Sequence, residues 1–147
     1  MDLEFESSLE SVEKAEEIVR RVAGRLGLEN DELDRLGLAV HETMVNAVVH
    51  GNRYNKHKKV HLSLRNDADR IIITVVDQGE GFDLGSVPDP LNGDNLLRAS
   101  GRGLLLIRAF VDECEVRKAQ PGGTEVKLVK FVRKPEIMGE TRGGLQK

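Results

Sequence analysis

The apolar run Ile71-Ile72-Ile73-Thr74-Val75-Val76 ends abruptly on Asp77-Gln78-Gly79-Glu80-Gly81-Phe82, and this junction constrains the chain more than any other stretch. A series so rich in β-branched residues suits a buried strand. A strand that leaves the core through one carboxylate and two spaced glycines sets a fixed acceptor beside bare backbone. A flat ligand can approach such backbone closely. Taken alone, D-x-G-x-G is unspecific, because any strand can exit through an acidic turn. Two further elements accompany it. Upstream, Glu42, Asn46 and His50 recur every four residues on one predicted helix, and downstream Gly101-Arg102-Gly103 opens another.

Composition removes several alternatives. With 147 residues, 39% apolar and 32% charged, the chain predicts one folded domain with a single core. The net charge of -3 and the scarcity of aromatics leave no basic stripe with stacking rings. Direct nucleic-acid binding is therefore not expected. No apolar run approaches the roughly 20 residues of a membrane span, and the acidic start lacks a signal peptide's basic region. Cys114 is the one cysteine, which rules out an internal disulfide and fits a reducing cytoplasm. As a small apolar residue opening a strand it is assigned no chemistry.

The pattern along the chain predicts helices laid on a sheet. Leu3 and Phe5 alternate with acidic residues in a short first strand. Ser7 and Glu10 form a capping-box pattern ahead of Val12, Ala15, Val19, Val22 and Leu26 at helical spacing, with Gly27 as the stop. Asn30, Asp31 and Glu32 start a second helix that runs through Leu36, Val40 and Met44 to Gly51. Val60, Leu62 and Leu64 alternate in a strand joined through Asn66–Asp69 to the apolar run, a hairpin. Residues 83–100 hold glycines, prolines and little periodicity. A loop of that length within a compact domain is functional or disordered. A buried helix over Leu104–Val111 follows, then strands near Cys114–Ala119 and Thr124–Val132 around the turn Gln120-Pro121-Gly122-Gly123. The predicted domain spans 1–132, with 133–147 a flexible C-terminal tail. The fold class is α+β, a two-layer sandwich of a mixed, mostly antiparallel sheet with helices on one face.

Between Leu36 and Val49 the second helix is apolar nearly all round, yet Glu42, Asn46 and His50 share one stripe. Such a stripe is either a narrow solvated face or a site. A solvated face would normally carry more than one charge, and asparagine is a poor helix former unless its amide is needed. A carboxylate and an amide oxygen one turn apart supply the proton acceptor and hard oxygen ligand of a Mg-nucleotide site. His50 either caps the carbonyls at the helix end or contacts ligand. Gly101-Arg102-Gly103 reads as an ordinary glycine-hinged helix start or as an anion site built from free N–H groups. Arg98 and Arg102 are surface cations or phosphate clamps. The turn geometry alone explains Gly122 and Gly123, and Thr124 has no independent case.

Together these residues resemble the ATP-binding fold shared by DNA gyrase, ninety-kilodalton heat-shock chaperones, histidine kinases and MutL, the Bergerat-type fold. The first box is Glu42-Thr43-Met44-Val45-Asn46-Ala47-Val48-Val49-His50-Gly51-Asn52. Asp77–Phe82, Gly101–Leu104 and Gly123-Thr124 supply the others. Within that superfamily the small size and the run Asn46–Asn52 are most similar to bacterial anti-sigma-factor serine/threonine kinases. The resemblance implies ATP and Mg2+ as cofactors. It implies Asp77 as acceptor of the adenine amino group, with Gly81 leaving room for the base, Thr124 nearby and Gly79 among the nucleotide-binding residues. Asn46 would ligate Mg2+, and Glu42 would be the general base. Gly101 and Gly103 would bring backbone N–H groups to the phosphates. Residues 83–100 would form a mobile lid, with Arg98 and Arg102 as candidate phosphate contacts.

The resemblance also implies two partners, an anti-anti-sigma antagonist protein that is phosphorylated and a sigma factor or other regulator that is sequestered, along with homodimerisation. No phospho-accepting histidine domain or dimerisation helix pair is present in the sequence, which disfavours a histidine kinase proper. Two other functions compete with a partner-switching kinase. One is a binding module that uses ATP to set its conformation without phosphotransfer. The other, a nucleotide-hydrolysing clamp, would need a transducer domain that nothing here resembles.

Overall fold

The computed structural model describes residues 1–79 and 103–132. Expectations for Gly81, Arg98, Gly101, Arg102, the 83–100 lid and the 133–147 tail lie outside the described residues. Strand β1 (Asp2–Glu6) leads into α1 (Leu9–Arg25) and then α2 (Asn30–Val45), which continues as a π-helical turn over Asn46–Gly51. Hairpin strands β2 (Lys59–Asp67) and β3 (Arg70–Val76) follow. After them come α3 (Gly103–Phe110), β4 (Glu113–Lys118) and β5 (Thr124–Phe131).

α1 forms because Val12, Ala15, Val19 and Ala23 recur on one face and are buried, while charges occupy the other. Its N-cap is Ser8, whose hydroxyl accepts from the Ser11 amide at 3.3 Å. The N-cap therefore sits one residue later than the sequence pattern placed it, and the residue three further on is Ser11 rather than Glu10, so the reciprocal capping box is not formed. Ser7 is buried instead, and its hydroxyl donates to the Lys58 carbonyl at 2.5 Å. Gly27, at φ +111°, turns the chain out of α1 where a side chain would be strained.

The sheet order is β1-β2-β3-β5-β4, and every pair among the described strands is antiparallel. No parallel pair occurs there, so the mixed character expected is not seen in these strands. Alternation along each strand gives the sheet two different faces. Val60, Leu62, Leu64, Ile71, Ile73, Val75 and Leu128 point into the core beside Val12 and Val19 of α1 and Leu36, Val40 and Met44 of α2. Burying each such side chain contributes about 1.5–3 kcal/mol. Their strand neighbours His61, Arg65 and Thr74 lie on the opposite face. α2 is the central helix, packed between α1 and α3. That position carries its C-terminal end to the exit of β3. No helix among the described residues is long and apolar enough to cross a membrane.

Candidate functional site

Asp77 is 5% exposed, at the point where β3 leaves the core. Oδ1 accepts from the Gly79 amide at 3.0 Å and from the Thr124 amide at 3.1 Å, and the Asp77 amide donates to the Thr124 carbonyl at 3.0 Å. Both the backbone and one carboxylate oxygen are thus fixed by the start of β5. Among the described residues, Oδ2 takes no hydrogen bond. The result is a single oriented acceptor in a dry surrounding. Burial pushes the Asp77 carboxyl above its ordinary value, opposed in part by the two amides and by the nearby Lys58 charge.

Three glycines close around this carboxylate. A methyl group on Gly51 would overlap Asp77 Oδ2, and one on Gly79 would overlap the Gly51 carbonyl. One on Gly123 would overlap the Asp77 carbonyl, and Gly123 also stands at φ +110°. Turn geometry therefore accounts for only part of the need for Gly123. The Gly–Thr pair at 123–124 is the wall against which Asp77 is held. Thr124 acts here through its backbone, and its side chain is buried.

The helix carrying Glu42, Asn46 and His50 departs from uniform α geometry. From Asn46 it winds as a π-turn, and the Asn52 amide reaches back five residues to the Ala47 carbonyl at 2.8 Å. π-turns of this kind occur frequently at functional sites. Thr43 sits just before the change, and its buried hydroxyl donates to the Ala39 carbonyl at 2.7 Å, a contact that bends helices. Arg53 and Tyr54 then adopt left-handed φ of 51° and 59°, reversing the chain into β2. The widened end sets Gly51 against Asp77.

Glu42 and Asn46 are half-buried and His50 is exposed. None of the three side chains makes a hydrogen bond among the described residues. His50 therefore caps no carbonyl there. Gly103 opens α3, at the expected position. The structure thus joins Asp77, Gly79 and Thr124 in one constellation and ties it to the end of the helix that bears Glu42, Asn46 and His50. Sequence reasoning passed over the packing roles of Gly51, Asn52 and Gly123. All three stood within recognised motifs, but only tertiary approach assigns them.

The cradle offers one free acceptor, Oδ2, bordered by the backbone of Gly51, Gly79 and Gly123. No group of three or more metal-binding side chains occurs among the described residues. Burial also pushes the Cys114 thiol up, in keeping with an inert apolar role.

The histidine kinase-like ATPase domain matches residues 5–130. The serine-protein kinase RsbW of Staphylococcus epidermidis is 31% identical over 145 residues, covering 93% of this chain and 89% of that protein. The anti-sigma F factor of Oceanobacillus iheyensis is 32% identical over 140 residues, covering 94% and 96%. In fold, the chain resembles the SiaB–SiaC complex structure from Pseudomonas aeruginosa, with TM-score 0.64, 17% identity and 88% coverage of each chain.

Proposed function

The chain belongs to the histidine kinase-like ATPase family and, within it, to the anti-sigma-factor serine kinases; on that footing we propose how its residues serve an ATP-dependent protein serine/threonine kinase and anti-sigma factor. The observation that carries the reading is the Asp77 carboxylate, held by two amides on one oxygen and enclosed by Gly51, Gly79 and Gly123.

Asp77 Oδ2 accepts the adenine amino hydrogen, and the glycines admit the plane of the base. Gly103 and Gly81 belong to the same proposed nucleotide site, as do Gly101, Arg98 and Arg102. Asn46 supplies an oxygen to Mg2+, which neutralises phosphate charge when bound. Glu42, on the same helix, takes the proton from a serine or threonine hydroxyl of a small antagonist protein, making that oxygen a competent nucleophile. Positioning the hydroxyl in line with the terminal phosphate supplies much of the remaining acceleration.

A sigma factor or other regulator is the second partner, released when unphosphorylated antagonist competes for the protein. The proposal includes a cytoplasmic location, where a lone thiol stays reduced. It also includes a homodimer, since β1 lies at the edge of the sheet and uncovered sheet edges invite pairing. Light scattering at micromolar concentration reads that state directly. The experiment that decides the activity is incubation of this protein with radiolabelled ATP, magnesium and the antagonist. Label transferred to an antagonist serine or threonine supports the kinase. ATP-dependent partner affinity with no label on any antagonist would instead establish a conformational module.

A further inference from the structure

We infer that Asn52 is a positioning residue for base recognition, acting through the Asp77 loop and without touching the ligand. The inference rests on the nucleotide-binding reading and concerns a residue to which that reading gives no task. Asn52 is 2% exposed. Its Nδ2 donates to Ser7 Oγ at 2.9 Å and to the Lys59 carbonyl at 3.0 Å, and its Oδ1 accepts from the Gln78 amide at 2.8 Å. Three chain segments distant in sequence meet on one side chain. They are the β1–α1 corner, the first residue of β2 and the loop that follows β3.

The bond to Gln78 is the informative one. The Gln78 amide belongs to the peptide that immediately follows Asp77, so its orientation sets the direction in which the chain leaves that residue. Oδ1 of Asp77 is anchored from the β5 side by Thr124. Asn52 anchors the same loop from the opposite side, and the Gln78 side chain adds a second tie by accepting from the Lys59 amide at 2.6 Å. Ser7 holds the asparagine in turn, since it accepts from Nδ2 while donating to the Lys58 carbonyl. Asn52 is also next in sequence to Gly51, whose Cα borders Asp77 Oδ2. One amide side chain therefore sets both the loop that presents the acceptor and the backbone that walls it.

A residue that only stabilises the fold would not change which base is preferred, whereas one that aims Asp77 must. Dissociation constants for ATP and GTP, measured by calorimetry on the full chain, give the discriminating ratio. Asn52→Ala is expected to lower the GTP-to-ATP ratio about tenfold, because loss of one buried tie of this kind is worth roughly that factor. Asn52→Asp keeps an acceptor for Gln78 while losing both donors. It should retain most of the ratio even where its thermal midpoint falls. An Asn52→Ala protein that is folded, binds ATP and keeps the wild-type ratio overturns the inference. So does equal loss of the ratio in the Ala and Asp variants. Should Asn52→Ala fail to fold, Asn52→Leu, which keeps the volume but removes the acceptor for the Gln78 amide, carries the test. A severalfold drop in the ratio supports the clamp and an unchanged ratio overturns it. Wild-type protein that shows no preference for ATP over GTP would instead defeat the underlying adenine reading, a result distinct from any of these.

Discussion

The two ends of the C-terminal segment Glu42–Asn52 of the long central helix are built on opposite plans. At its C-terminal end, Gly51 and Asn52 sit in a hydrogen-bonded assembly with Asp77, Gln78, Ser7 and Thr124, in which Asn52, Asp77, Ser7 and Thr124 are buried. About two turns back, Glu42 and Asn46 are half-buried and make no side-chain hydrogen bond among the described residues. The difference matches what the proposed function asks of each end. Recognising a base needs one acceptor that does not move, so the fold commits every other polar group there to holding it. Receiving a metal, a phosphate and a hydroxyl needs groups whose bonding capacity is still open. At about 1.5 Å of rise per residue the helix sets Glu42 roughly 12–14 Å from Gly51, which makes it a rigid spacer between the two tasks.

Glu42→Ala breaks this division at its chemical end and carries the largest expected effect. Phosphoryl transfer to the antagonist should fall by roughly 10²–10⁴-fold, the usual consequence of losing a general base. ATP affinity should stay near wild type, because the base-binding end is untouched, and partner binding should survive. A variant that loses ATP affinity in proportion to its rate would show that the two ends are not separable.

Asp77→Asn attacks the other end. The amide oxygen of the substituted side chain could still accept from Gly79 and Thr124, but a donor would replace the free acceptor, so ATP affinity should fall by one to two orders of magnitude. That is the size of a lost charged hydrogen bond of about 1.5–3 kcal/mol. Stability should move the other way. Burial raises the folded-state carboxyl above its ordinary 3.8, so between these values the native chain binds more protons than the unfolded one. Stability from this group therefore rises as pH falls through that window and is diminished at neutral pH. The asparagine variant removes the cost of burying the charge. Its thermal midpoint at pH 7 should match or exceed wild type, and the pH dependence below neutrality should flatten. A variant that binds ATP normally, or unfolds earlier at pH 7 with its pH profile intact, would contradict this account of the cradle.

How much of this contrast could be read from the chain follows from the range of the interactions involved. The β3 exit at Asp77 was legible because strand periodicity and a carboxylate followed by glycines are local signals. The Glu42–Asn46 stripe was legible for the same reason, as a polar break in an apolar helix. The π-turn was not, because six residues with only Ala47, Val48 and Val49 apolar do not separate a four-residue from a five-residue hydrogen-bond spacing. The burial of Ser7 was also hidden. A serine at a helix start suits either cap position, and only the arrival of Lys58 and Asn52 decides which serine is freed. Gly123 looked sufficient as a turn glycine until Asp77 was packed against it.

Gly51→Ala sharpens the comparison from the steric side, with a smaller effect. The added methyl meets Asp77 Oδ2, so the carboxylate must shift or the helix end must withdraw. Overpacking of this kind costs about 1–3 kcal/mol. A loss of ATP affinity near tenfold, with the rate at saturating ATP reduced much less, is the expected pattern in steady-state kinetics. An equal fall in the saturated rate would mean that the strain travels along the helix to Glu42.

His50 lies between the two ends and should show the smallest effect, which makes it the most exacting test of where the boundary falls. It shares the π-turn with Asn46, and its neighbour Gly51 touches the cradle, yet its own side chain is exposed and unbonded among the described residues. Exposed positions without partners usually change stability by no more than about 0.5 kcal/mol on substitution. His50→Ala should therefore leave the thermal midpoint almost unchanged and shift ATP affinity by less than about threefold, since no hydrogen bond of roughly 1 kcal/mol is given up. A loss of tenfold or more, with stability intact, would assign the ring to the ligand. The committed end of the helix would then extend one residue closer to Asn46 than its hydrogen bonds indicate.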